Sequence, residues 1–207
     1  MAVLITGVSC VGKTAVGEAL AKRLGVPFED LDQAVERHRG APLARLQQRD
    51  GTMEWYREAA AGVLAAILDS LDGRPAVIAL PPSGLMDPYW RHLQGRFIVT
   101  VALKDTAENI LERIRFFDDD SQPLQKSLTP RERSRYLREI HQDMASFGPS
   151  YRKAAIRVNI RGCTVTEAAA TTRDVLLQAA TLPEPEKAAS KPPSAGDSSP
   201  ARRIRSA

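Results

Sequence analysis

The sequence predicts an α/β protein, a parallel sheet covered by helices on both faces. Three observations lead there. Short β-rich apolar runs recur along the chain, separated by segments of helical period. Two of these runs, 76–80 and 97–103, are apolar with little polar alternation, as parallel strands buried on both faces must be. The first run passes into the first helix through a glycine-bearing turn, Gly7-Val-Ser-Cys-Val-Gly12. With 207 residues, 43% of them hydrophobic, the chain can bury one sizeable core and is short for two.

Taken in order, Ala2–Thr6 reads as a buried strand, and Lys13–Leu24 as a helix with Val16, Leu20 and Leu24 on one face. Residues 27–30 read as a second, short strand. Helical stretches follow at 33–38, 42–48 and Met53–Leu71, then the strands at 76–80 and 97–103. Asp105-Thr-Ala-Glu108 has capping-box spacing and opens a helix. Thr129-Pro130-Arg-Glu132 opens another, with proline at its first position. A last strand at 156–160 is followed by a helix from Thr164-Val-Thr-Glu167 to about residue 180. Residues 1–182 therefore form one domain. The tail, 183–207, holds five of the 14 prolines and is rich in Ser, Ala and Lys, a composition that predicts disorder.

Charge excludes more than it proposes. Of the net +4, half lies in the tail, where Lys187, Lys191, Arg202, Arg203 and Arg205 face Glu184, Glu186 and Asp197. A domain so near neutrality, with 5% aromatics, offers neither a basic footprint nor a stacking platform for nucleic acid. Cys10 and Cys163 are too few for a disulfide framework or a cysteine-rich zinc site. The longest apolar run, 59–68, is half a membrane span, and no basic leader precedes the first strand. A soluble, cytoplasmic protein is expected, a monomer or small homo-oligomer.

Gly7-Val-Ser-Cys-Val-Gly12-Lys13-Thr14 fits G-x-x-x-x-G-K-[ST] in the strand–turn–helix setting its chemistry needs. The turn's amides, from Gly7 through Cys10, Val11 and Gly12 to Ala15, can face phosphate oxygens, and the helix N-terminus favours an anion. Lys13 would reach the β- and γ-phosphates of ATP, and the Thr14 hydroxyl would bind Mg2+. Next, Asp30 and Asp32 end the second predicted strand, two apart and so on one face if extended. One can hold magnesium through water while the other takes a proton from an attacking hydroxyl; a plain acidic turn capping the next helix fits the same residues.

The N-terminal phosphate loop, Asp30-x-Asp32 followed by Glu36 and Gly40, and Tyr56-Arg57 beyond Gly51 together resemble the shikimate kinase family over residues 2–180. That resemblance implies a three-layer P-loop kinase fold with a five-stranded parallel sheet of order 2-3-1-4-5. It also implies ATP, magnesium and a small-molecule acceptor, a cyclic acid phosphorylated on a hydroxyl. It assigns Thr14 and Asp30 to the metal, Asp32 to deprotonation of the acceptor hydroxyl, Arg57 to the acceptor carboxylate and Arg115 to the adenine. A lid at about 116–130 is expected to close over the site.

Three departures set this chain apart from that family. Gln122-Pro123-Leu124-Gln125 stands where Arg-Pro-Leu-Leu belongs, after an acidic run at 116–120; Arg131 or Arg133 is the candidate replacement. Ala79-Leu80-Pro81-Pro82-Ser83-Gly84 replaces a Gly-Gly-Gly turn, and proline has no N–H to offer. Phe147 occupies the place of a substrate-binding arginine four residues before Tyr151, with Arg152 and Lys153 close by. His38, His92 and His141 show no metal-ligand spacing, and Trp55 and Trp90 read as packing residues. Two other functions fit the same motifs: a kinase for a sugar acid or nucleoside monophosphate, and a nucleotide-binding regulator without transfer activity.

Overall fold

In the computed structural model β1 (Ala2–Thr6) is buried at every residue. It pairs in parallel on both edges, with β3 (Ala76–Ala79) and β4 (Ile98–Lys104). Outside these lie β2 (Phe28–Asp30), against β3, and β7 (Ile156–Asn159), against β4. The sheet order is β2-β3-β1-β4-β7. Because β5 (Phe116–Phe117) and β6 (Pro123–Leu124) form a separate antiparallel hairpin, the five sheet strands alone run 2-3-1-4-5, as expected. The description covers residues 1–181 apart from 51, 119 and 121, and omits the side chains of 47–50 and 180–181; the tail expected to be disordered, 183–207, lies outside the described residues.

The helices are α1 (Lys13–Leu24), α2 (Leu31–Arg39), α3 (Leu43–Asp50), α4 (Met53–Leu71), α5 (Asp87–Leu93), α6 (Ala107–Glu112), α7 (Pro130–Tyr151) and α8 (Val165–Thr181). α1 packs on α8, α4 on α2 and α5, and α6 on α7. Right-handed crossovers put the first pair on the face opposite the others. One apolar core runs through the sheet, from Leu4 and Ile5 to Leu64 under α4 and Leu20 under α1.

The structure corrects the expected element boundaries in places that matter for the site. α2 begins at Leu31 rather than 33, because Asp30 keeps an extended backbone and accepts the Asp32 and Gln33 amides. Asp32 therefore sits in a helical turn, not beside Asp30 on an extended face. α6 is capped by Thr106, not Asp105. α7 and α8 open at Thr129 and Thr164 as expected, and each start is closed by a capping box, Thr129/Glu132 and Thr164/Glu167. α5 was not anticipated: its seven residues are too few to show a period.

Candidate active site

The turn after β1 is shaped by glycine. Gly7 has φ +149°, and a Cβ there would lie 2.9 Å from both the Leu103 carbonyl oxygen and Val11 Cγ1. Gly12, at φ +108°, precedes α1 and offers no side-chain cap. The first amides of α1 thus face the turn without a side-chain partner, the arrangement that receives an anion. Cys10 takes a left-handed φ of 58° between them. Lys13 Nζ folds over the turn and donates to the carbonyls of Gly7 and Val8, each at 3.0 Å. Burial lowers its pKa, opposed by the nearby Asp32 and Asp30 carboxylates.

Thr14 Oγ1 donates to Asp30 Oδ2 at 2.7 Å, joining the phosphate loop to the end of β2. Asp30 Oδ1 meanwhile caps α2, so the capping reading describes Asp30, with its second oxygen turned to Thr14. Asp32 does neither job: its Oδ1 accepts the Tyr56 hydroxyl from α4. Burial raises the Asp32 pKa, and the Tyr56 bond and Lys13 pull it back. Tyr56 itself is pushed up, by burial first and then by Asp32. The next residue on α4, Arg57, has a buried Nε with no hydrogen-bond partner.

A brace absent from the sequence reading sits under the loop. Asp105, at the end of β4, has a fully buried side chain and pairs with Arg113 Nη1 at 2.6 Å; Arg113 Nη1 also donates to the Val11 carbonyl at 3.3 Å. Burial works against the Asp105 carboxylate, yet bonds from Asn109, the Thr106 amide and Arg113 hold its pKa below the ordinary value. Arg113 and Val11 are 102 residues apart, so no local pattern could have announced the contact. Arg115, two residues on, is exposed.

The family profile for shikimate kinase matches residues 9–176. The chain belongs to the shikimate kinase family. It is an ATP-dependent phosphotransferase acting on a hydroxyl group. The shikimate kinase of Cereibacter sphaeroides is 33% identical over 174 residues, covering 84% of this chain and 81% of that one. That of Ruegeria pomeroyi is 32% identical over 182 residues, covering 84% and 87%. Among solved structures, shikimate kinase from Aquifex aeolicus superposes with a TM-score of 0.68 at 24% identity, over 87% of this chain and 99% of that one. The Acinetobacter baumannii enzyme in complex with shikimate gives 0.67 at 22%, over 87% and 95%; at these identities the two structures speak for the fold. Sugar-acid and nucleotide acceptors, and a purely regulatory role, are not favoured by these matches.

In this shikimate kinase family member the segments that depart from the family pattern pack on one another. The Pro82 carbonyl accepts the Tyr151 hydroxyl at 3.0 Å, and Phe147 packs at 6.3 Å, ring to ring, from Tyr151. The two neighbouring cations take different places. Lys153 is engaged with Asp87 at 3.0 Å and lies over the Trp90 ring. Arg152 lines a cavity of about 400 Å³ beside Val8, Asp105 and Met144. Ser83, in the segment that replaces the glycine turn, donates to Tyr89, whose pKa burial pushes up to about 12.

Two described carboxylates of the acidic run, Asp118 and Asp120, are engaged in different contacts. Asp118 Oδ1 accepts the amides of Asp120 and Gln122 across the hairpin turn, while Asp120 pairs with Arg45 of α3. Arg133 is paired with Glu112, which leaves Arg131, exposed at the start of α7, as the unengaged lid candidate. Among the described residues no helix is long and apolar enough to cross a membrane.

Proposed function

We propose that this chain transfers the γ-phosphoryl group of MgATP to a hydroxyl of shikimate, or of a closely similar cyclic hydroxy acid. The observation that carries this reading is convergence at one sheet edge. Lys13 and Thr14 arrive from α1, the Asp30 and Asp32 carboxylates from β2 and α2, and Arg57, its buried Nε without a hydrogen-bond partner, from α4. The edge is the carboxyl end of a parallel sheet, where ligands of α/β folds gather.

The loop residues Gly7, Cys10, Val11, Gly12, Lys13, Thr14 and Ala15 receive the triphosphate through backbone amides. Lys13 exchanges its two carbonyl partners for β- and γ-phosphate oxygens, and the incoming negative charge offsets its burial. Thr14 and Asp30 are oxygen donors, the type magnesium takes. Among the described residues no group of three or more His, Cys, Asp or Glu side chains could hold a metal alone, so phosphate oxygens and water complete the shell. Magnesium there would neutralise charge on the phosphates. Arg115 packs on the adenine, and the hairpin of β5 and β6 with the residues up to 130 serves as the cover that excludes water.

Arg57 holds the acceptor carboxylate, and Asp32 orients the hydroxyl and takes its proton as the oxygen attacks. Carboxylate base catalysis of this kind contributes about 10²–10⁴-fold. Asp32→Asn is therefore expected to lower kcat by two or more powers of ten while MgATP affinity, read by calorimetry, stays unchanged. Turnover in the variant equal to wild type would reassign Asp32 to a structural place on α2.

A further inference from the structure

The base proposed for the reaction is held from two sides, and the second hold is supplied by a residue to which the sequence reading gave no role. The backbone amide of Asp32 is tied to Asp30 Oδ1 at 3.0 Å. Its side chain is tied to Tyr56, which reaches across from α4 with its hydroxyl on Asp32 Oδ1. Tyr56 is 3% exposed, so its ring is fixed by the packing of α4 on α2 and has little freedom to let the carboxylate turn. A carboxylate has two oxygens, and one of them is now occupied by a buried donor. The other is left for the acceptor hydroxyl. The adjacent residue, Arg57, carries the unpartnered nitrogen assigned to the acceptor's anionic group. One turn of α4 thus sets both the place where the acceptor is gripped and the orientation of the group that activates it.

We propose that Tyr56 is a positioning residue for phosphoryl transfer, its hydroxyl locking the Asp32 carboxylate so that one oxygen is presented to the attacking hydroxyl. This rests on the assignment of Asp32 as base. The gain is orientational. A carboxylate free to rotate loses alignment with the hydroxyl, and small misalignments of reacting groups carry large rate penalties. ATP does not touch Tyr56 in this account, so its binding should not register the change.

Tyr56→Phe removes a single oxygen and keeps the ring. In the full-length chain we expect kcat to fall on the order of tenfold, with KM for ATP unchanged and the melting temperature recorded alongside as the measure of folding. The decisive comparison is a double-mutant cycle with Asp32→Asn. If Tyr56 works through the carboxylate, adding Tyr56→Phe to Asp32→Asn lowers kcat no further. A purely structural Tyr56 would instead lower kcat by the same factor in both backgrounds, and that result overturns the proposal. So does a Tyr56→Phe enzyme with wild-type kcat while Asp32→Asn is impaired. Full activity in Asp32→Asn would remove the base assignment itself and the inference with it, a failure distinguishable from the other two.

Discussion

Asp30 and Asp32 are the same residue type two positions apart, and their surroundings give them different work. Asp30 keeps extended dihedrals ahead of α2, so its two oxygens divide between the helix amides and Thr14. Asp32 lies past the helix start, where α4 packs close and buries it. The sequence left the choice between cap and ligand open for this pair, because the answer depends on where the helix begins, and Asp30 sets that itself. Arg57 is the clearest single-residue test of the acceptor site. Removing a charge-assisted hydrogen bond costs about 1.5–3 kcal/mol, one to two powers of ten in affinity. Arg57→Ala is accordingly expected to raise KM for the acceptor by about ten- to a hundredfold while leaving KM for ATP as it is. Steady-state kinetics with each substrate varied would check it, and equal changes in both constants would mean the arginine supports the fold instead.

Among the elements, the phosphate loop depends on more than its own glycines. The loop carbonyl at Val11 rests on Arg113 from the end of α6, and Arg113 rests on the buried Asp105 at the end of β4. Asp105→Ala strands the guanidinium and frees the Thr106 amide and Asn109 amide group. Breaking a buried pair from one side costs about 3–5 kcal/mol; with Arg113 partly exposed, about 1–3 kcal/mol is the more suitable range. We expect a lower melting temperature together with weaker MgATP binding, measured by scanning calorimetry and titration. The sign of the pH effect follows from the lowered pKa. The pair's contribution is present in full above the unfolded carboxyl's pKa of about 3.9 and is lost as pH falls through the lower folded value, so wild type and variant should converge only in acid.

The elements that local pattern can describe were legible from the sequence: the ends of α1 and α4 coincide with the expected ones, and α7 and α8 open at Thr129 and Thr164 as expected. What escaped was either too short or too distant in sequence. α5 and the hairpin of β5 and β6 span seven and two residues, below the length at which a period shows. Tyr56–Asp32 and Arg113–Val11 join residues 24 and 102 positions apart, and nothing in either segment signals the other.

For the whole molecule, a parallel sheet brings the ends of β1, β2, β3 and β4 to one edge, and the chain's family membership and its departures meet there. The nucleotide half of that edge keeps the phosphate-loop motif. Of the residues assigned to the acceptor, Asp32 and Arg57 are kept, while prolines and Phe147 stand where the family pattern has glycines and an arginine; Lys153 is tied to Asp87, and Arg152 lines a cavity together with Tyr151. On the proposed assignment of the acceptor site two polar contacts are lost, each of about 1.5–3 kcal/mol where charge-assisted, and acceptor binding is expected to be weaker with the chemistry unchanged. The central claim is tested most directly by initial-rate kinetics of ADP release from MgATP with shikimate varied, the product identified by mass. The account predicts shikimate-dependent turnover to a monophosphorylated product, with a KM toward or beyond the upper end of the about 1 μM–1 mM span usual for enzymes. ADP release that does not respond to shikimate at any concentration would contradict it.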